Sequence, residues 1–498
     1  MMADEELRQA ASRAVRGVAY VLASSYTNMG MGFVTTILLT RLLAPEDFGA
    51  VALGAFLLGL LDVRTKLGLD YAFMHRQPTT EDLVGSHLSL QLGLAGLGLA
   101  LAGAVRPLLL ALGYSPQVAS AVLILALVGL LEAGGTTARN LLEKDLRFGR
   151  STPVVTGALA ASYATSIVLA WRGFGYVSLL VGNAVNAGLG TLGFWLFAGA
   201  RPRLRLERST LLFLLRYGAA LALGSYATIF VLQFDNFLVG TLVGVATLGY
   251  YERAYKVAQW PTGLVTHIVA RVSLPFYARL QGDPPRLARA FGMTLWLIAA
   301  VALPLALAIF ATAPDFVRLL FGEAWLPTAL YLRFLVAYSV IRPLLDDAGA
   351  LFVATGHPEK ATAVQVAQAA ALIATATPLT LAFQARGTAV GVGLAFLVGV
   401  ALTYRYVTGL IPLPLGQVLR GPALGTGAAL LAVAWVAWTG GPARGWPLLP
   451  RVLAHGACVA GAFYIVLAAC EGRALGERAR FLWGLLLGRP APAKGGER

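Results

Sequence analysis

The sequence predicts an all-α polytopic membrane protein of about fourteen transmembrane helices, arranged as two pseudo-symmetric six-helix lobes followed by two further helices. Three observations predict it. Hydrophobic residues make up 58% of the 498-residue chain and charged residues only 13%, against about 25% charged in an average soluble domain. Apolar stretches of roughly twenty residues, long enough to cross a hydrocarbon core about 30 Å thick, recur from Val18 to Cys470. None of them alternates with the period of two that a lipid-facing barrel strand requires, so the backbone must satisfy itself within helices.

Pro, Gly and charged residues separate the apolar stretches. In chain order the spans are expected at 17–40, 49–69, 83–105, 117–137, 153–170, 175–199, 211–238, 257–278, 290–313, 326–346, 361–384, 387–409, 422–439 and 452–470. The first follows Arg8, Arg13 and Arg16, as a signal peptide would, but it is too long and too many spans follow it. It is read as a retained helix. The organisation is then a cytoplasmic segment 1–16, an N-lobe 17–200, a C-lobe 211–410, the added spans 422–470 and a basic cytoplasmic tail 471–498, read as irregular.

Lys and Arg set the orientation. With the amino terminus inside, 23 of the 39 fall in inside segments, 9 in outside loops and 7 within spans, which puts both termini in the cytoplasm. The net charge of +15 is therefore scattered over short loops rather than gathered on a nucleic-acid-binding face. Cys458 and Cys470 lie twelve positions apart on one expected helix, roughly 18 Å, too far to bridge.

An internal repeat is visible. Leu42-Leu43-Ala44, three residues, then Phe48-Gly49 is echoed 200 positions on by Leu242-Val243-Gly244, three residues, then Leu248-Gly249; Arg172-Gly173 before span six is matched by Arg386-Gly387 before span twelve. Two halves facing a central site suit alternating access.

Motifs for catalysis are missing. There is no phosphate-binding Gly-rich loop, no His/Cys/Glu set at metal spacing, and the five histidines stand apart in sequence. No connecting loop exceeds about twenty residues, leaving no soluble region to house a catalyst. Neither enzyme activity nor a cofactor is expected.

Ionisable groups inside spans carry the information, because each costs roughly 2.5–3.5 kcal/mol at a helix centre and so faces a cavity or a partner. Arg64, Lys66, Arg216, Arg271 and Arg342 fall in the cytoplasmic half of their spans, and Arg333 lies nearer the outer face. Together they suggest an electropositive cavity for a phosphate or pyrophosphate, which guanidinium binds with a planar fork of donors. The alternative is local pairing, such as Asp62 with Lys66 at i, i+4. Asp62 and Asp235 are candidate coupling-ion groups, and Asp346/Asp347 read as a solvated helix terminus. Gly30 and Gly32 in the first span are a candidate hinge. Tyr250, Tyr251, Tyr255, Trp260, Trp325 and Trp446 read as an interfacial aromatic belt.

Several ordered stretches carry a family resemblance: Thr40-Arg41-Leu42-Leu43-Ala44-Pro45-Glu46-Asp47-Phe48-Gly49, Leu67-Gly68-Leu69, Leu146-Arg147-Phe148, Asp235-Asn236-Phe237-Leu238-Val239-Gly240, Leu248-Gly249-Tyr250-Tyr251-Glu252-Arg253-Ala254-Tyr255, Phe321-Gly322-Glu323-Ala324-Trp325 and Ala354-Thr355-Gly356-His357-Pro358. From about residue 15 to 410 the chain resembles the Wzx-like polysaccharide flippases of the multidrug/oligosaccharidyl-lipid/polysaccharide exporter superfamily. The resemblance implies a two-lobed bundle that moves undecaprenyl-pyrophosphate-linked sugars to the outer leaflet, with membrane lipids and the polymerase and export machinery of the same pathway as partners, and no nucleic acid. Two other readings are weighed: a cation-coupled multidrug exporter, for which acidic cavity groups would be expected, and a membrane polymerase or ligase, for which an extramembrane region would be.

Overall fold

The computed structural model describes residues 2–261, 273–274, 276–441, 443 and 445–486. Every regular element among them is helical. The first half holds α1 (Met2–Leu42), α2 (Pro45–Leu61), α3 (Leu69–His75), α4 (Glu81–Ala111), α5 (Pro116–Lys144), α6 (Phe148–Trp171), α7 (Val177–Ala198) and α8 (Arg208–Leu238). Then come α9 (Val245–Ala258), α10 (Pro284–Leu320), α11 (Pro327–Leu335), α12 (Tyr338–Ala354), α13 (Pro358–Leu410), α14 (Leu415–Thr439) and α15 (Leu448–Leu486). Nine helical segments among the described residues are long and apolar enough to cross a membrane.

Helix starts follow local chemistry. Thr80 caps α4 by accepting from the Leu83 amide, Ser115 caps α5 ahead of Pro116, and Asp283 caps α10 ahead of Pro284, each side chain satisfying an amide that has no partner within its helix. Asp47 in the first turn of α2 accepts from the Ala44 amide at 3.0 Å and, across 129 positions, from the Tyr176 amide at 2.8 Å.

One expected span is broken. Residues 49–69 are not a single helix: α2 ends at Leu61, and α3 begins only after Gly68, which takes the left-handed φ of 54° that glycine tolerates best. Conversely, α13 is 53 residues of helix with non-helical backbone at Phe383 and Gln384. Its arms fold back on each other there, since the Thr375 hydroxyl donates to the Gly391 carbonyl at 2.9 Å and the Thr380 and Thr388 hydroxyls meet at 2.8 Å. This element holds the two spans expected at 361–384 and 387–409.

By contacts the chain forms two units, Met1–Glu252 with Thr380–Thr388, and Arg253–Leu379 with Ala389–Arg498. Helix α8 belongs to the first unit, packing on α2, α3 and α4. Leu214 of α8 is buried with Leu69, Phe73, Leu83 and Leu141. In the second unit, Tyr277, Phe291, Leu351, Phe352 and Val407 form one core, and Trp296, Ala429, Phe463 and Leu467 another that fixes α14 and α15 on α10. The segment after 470, read as irregular, is helical to Leu486 with a bend at Gly472. Glu471 there accepts from the Trp296 indole at 2.9 Å and from Arg478 at 2.7 Å.

Candidate functional site

The break between α2 and α3 carries Asp62, Arg64 and Lys66. Arg64 is buried; its Nη2 lies 3.8 Å from Asp62 and 3.9 Å from Glu132 of α5, its Nη1 donates to Gln91 Oε1 at 3.4 Å, and its Nε has no partner. These contacts are long for charge-assisted bonds, which run about 2.7–2.9 Å, so the guanidinium retains donor capacity. Lys66 is also buried and donates to Thr65 Oγ1 at 2.7 Å. The i, i+4 pair with Asp62 does not form, because the helical turn it needs has ended. Helix α8 meets this segment at Gly218, where a methyl group would lie 2.1 Å from the Leu67 carbonyl oxygen. Two residues earlier Arg216 is exposed, with no ion pair among the described residues.

Below the break lies a network of neutral polar side chains and one carboxylate. Asp70 accepts from Asn140 at 2.8 Å and from Gln91 at 3.0 Å, and sits 3.5 Å from His87 Nε2. His87 is fully buried, its Nδ1 lies 2.9 Å from the Thr137 hydroxyl and its ring packs on Phe73. Although apart from other polar groups in sequence, His87 is enclosed by them in space.

A related arrangement holds in the second unit. Buried Asp347 accepts from Ser273 at 2.7 Å and from the Tyr277 hydroxyl at 3.0 and 3.1 Å, and Tyr277 also bonds Thr294. Asp347 is therefore not a solvated helix terminus. Only Asp346 is exposed. Tyr277, Thr294 and Asp347 each stand 207 positions after Asp70, His87 and Asn140, so the same three positions are tied in both units by different residues.

The remaining candidates scatter. Arg342 pairs with Asp346 at 3.0 Å, and exposed Arg333 donates to the Phe310 carbonyl at 3.4 Å and covers its ring at 5.7 Å; both belong to the second unit. Arg271 lies outside the described residues. Asp235, in the last turn of α8, is buried and accepts from the Tyr251 hydroxyl at 3.0 Å and the Asn236 amide at 2.9 Å. Tyr251 and Trp325 are both buried, so these two do not belong to a headgroup belt. Helix α1 runs unbroken through Gly30 and Gly32; a methyl group at Gly30 would meet nothing within 4 Å, and one at Gly32 would lie 3.1 Å from the Tyr163 hydroxyl oxygen.

Glu132 also opens onto a cavity of about 230 Å³ between α5, α6 and α7, lined by Thr136, Arg139, Asn186, Thr191 and Phe194 among others. Its wall is stiff: the Thr191 hydroxyl donates to the Leu131 carbonyl at 2.7 Å and the Trp195 indole to the Gly134 carbonyl at 2.6 Å. Arg139 is engaged by Glu143 at 2.7 Å. A search confined to ionisable groups in spans finds Arg64 and Glu132 but passes over Gln91, Asn140 and Asn186. Neutral amides inside apolar helices were the signal for these.

Long apolar helices that hold buried guanidinium, carboxylate and amide groups define a multi-pass membrane protein. The chain belongs to the polysaccharide biosynthesis protein family, which matches residues 38–330. It is 25% identical over 350 residues to the lipopolysaccharide biosynthesis protein WzxC of Escherichia coli K12, covering 69% of this chain and 70% of that one. It is 27% identical over 318 residues to the succinoglycan biosynthesis transport protein ExoT of Rhizobium meliloti, covering 63% and 64%. Its fold is that of the lipid II flippase MurJ in an inward closed conformation, with a TM-score of 0.73 at 14% identity over 92% of this chain and all of that one. The resemblance drawn from the loop motifs is thereby borne out.

Proposed function

We propose that this chain is a flippase that carries a polyprenyl-pyrophosphate-linked oligosaccharide across the bacterial inner membrane by alternating access, with both termini in the cytoplasm. The observation that carries the reading is Arg64: a guanidinium buried at an interruption in an apolar helix, held only by long contacts and with an unpartnered Nε. A group so costly to bury is retained where it serves a polar route, and a lipid-borne diphosphate needs such a route while its polyprenyl tail stays in lipid. Lys66 and Arg216 belong to the same unit. The 207-position register that relates the two networks also relates Arg64 to Arg271, which supports 17–200 and 211–410 as repeated lobes with 422–470 added. Arg64, Lys66, Arg216 and Arg271 are the proposed diphosphate ligands, whereas Arg342 and Arg333 are engaged by Asp346 and Phe310. The polymerase and export machinery of the same polymer are the proposed partners.

Reconstitution tests the reading. Liposomes containing the protein should move a fluorescent polyprenyl-pyrophosphate saccharide between leaflets faster than protein-free vesicles. Equal rates under every ion gradient applied would refute it.

A further inference from the structure

We infer that the cavity between α5, α6 and α7 is a sugar subsite, in which the Glu132 carboxylate and the Asn186 amide bind hydroxyl groups of the saccharide, beside Arg64, one of the cations proposed to hold the diphosphate. The inference rests on the function proposed above and assigns the part of the substrate that this cavity takes.

Four observations carry it. Glu132 and Asn186 line the same cavity and neither side chain forms a hydrogen bond within 3.5 Å among the described residues; the nearest cation to the Glu132 carboxylate is Arg64 at 3.9 Å. Both project from helices apolar enough to cross a membrane, where unsatisfied polar groups must face water or a polar ligand. The hydroxyl protons of Thr136 and Thr191 are already donated to the Glu132 and Leu131 carbonyls, which leaves the Glu132 carboxylate and the Asn186 amide as side chains of this wall with no hydrogen bond among the described residues. A carboxylate offers two acceptor oxygens to neighbouring hydroxyls, and an amide offers both a donor and an acceptor. Finally, about 230 Å³ is smaller than the ~300–1,000 Å³ typical of drug-sized ligands, which fits one sugar ring rather than a whole repeat unit.

Charge excludes the alternatives. Within the cavity itself Glu132 disfavours an anion, and Arg139, the cation on this wall, is paired through its Nε with Glu143. A cationic ligand would meet two guanidiniums, Arg64 behind Glu132 and Arg139 beside it. A neutral polyhydroxylated group meets neither penalty. Because the α5–α7 wall is already hydrogen-bonded, its polar groups are held in place before the ligand arrives, which lowers the cost of binding.

Two lipids separate this assignment from the function it rests on. The full-length protein in nanodiscs is titrated with polyprenyl pyrophosphate alone and with the polyprenyl-pyrophosphate saccharide extracted from the cells that make the polymer. Glu132→Ala and Asn186→Ala should each weaken saccharide binding about tenfold, as expected for a lost hydrogen bond to a desolvated polar group, and Asn186→Ala, which lies clear of Arg64, should leave the bare lipid within twofold. Glu132→Gln, which keeps an acceptor without the charge, should recover most of the affinity. Equal losses for both lipids in Asn186→Ala, or no loss for either, would overturn the subsite while the flippase stands. So would a Gln variant as weak as Ala, the result for a cationic ligand. If the wild-type protein binds neither lipid, both readings fall together.

Discussion

Gly49 and Gly249 pack in a reciprocal pair of contacts: a methyl group on Gly49 would lie 1.9 Å from the Val245 carbonyl oxygen, and one on Gly249 would lie 1.9 Å from the Pro45 carbonyl oxygen. Residues 45 and 245, like 49 and 249, are 200 apart, so the first turns of α2 and α9 meet about an approximate two-fold axis. Neither contact can admit a side chain without moving backbone. Alanine at either position should push the helix starts apart. Val245→Cys, in a background lacking Cys458 and Cys470, should react with maleimide several-fold faster when Gly49→Ala or Gly249→Ala is added. An unchanged rate would mean that the approach is not maintained in solution.

Removing the Tyr277 hydroxyl takes a donor from a buried carboxylate. Tyr277→Phe should cost about 1–3 kcal/mol, the penalty for a buried polar group left short of a bond. Asp347→Ala, which strands Ser273 and Tyr277 together, should cost more. Thermal unfolding of the purified protein in detergent would show the order, and a Tyr277→Phe protein as stable as wild type would contradict it.

Asp70 and Asn140 share a 2.8 Å bond, so their substitutions should not add. The double variant Asp70→Ala/Asn140→Ala is expected to be less destabilised than the sum of the singles by at least about 0.5 kcal/mol, the usual coupling of residues in contact. A cycle that closes to zero would show the bond to be energetically idle.

Arg64→Ala leaves Asp62 and Glu132 without their shared cation. Polymer at the cell surface should fall at least tenfold. Arg64→Lys, which keeps the charge but loses the planar fork, should fall between that variant and wild type. Immunoblots of the membrane fraction check that the protein is present. Normal polymer from Arg64→Ala would remove this residue from the transport path.

Glu207 gives a dependence on pH. Hydrogen bonds to its carboxylate, first from the Ser209 hydroxyl and then from that of Thr210, hold its pKa below the ordinary carboxylate value. A group depressed on folding adds stability above its unfolded pKa and loses it as pH falls through the folded one. Wild type should therefore lose more stability than Glu207→Gln on acidification below about pH 4.3. Parallel curves for the two proteins would show that this helix cap does not contribute.

Much of the fold was legible because a bilayer enforces it: twenty apolar residues between polar punctuation can be little other than a helix. The interruption at residues 62–68 was not, since Gly68 marks it by a backbone angle and the surrounding Leu67 and Leu69 look like uninterrupted span. Nor was the depth of Asp347. Two adjacent aspartates near a span end suggest solvent, and only the fold brings Ser273 and Tyr277, some seventy positions away, onto one of them. Arg64 was found because an ionisable group in an apolar run stands out; His87, Gln91 and Asn140 pass for ordinary packing until Asp70 is seen among them. Lys66 was expected among the cavity cations, and the alternative of a helical pair with Asp62 failed with the helix.

Positions 70 and 277, 87 and 294, and 140 and 347 each stand 207 apart. Here all three pairs differ, Asp and Tyr, His and Thr, Asn and Asp, yet the first position still bonds the other two in each copy. Each set of three holds one carboxylate, at its first position in one unit and at its last in the other. What the two sets share is spacing and connectivity rather than residue identity, so likeness between the halves of this chain is better sought in which positions touch than in which letters match.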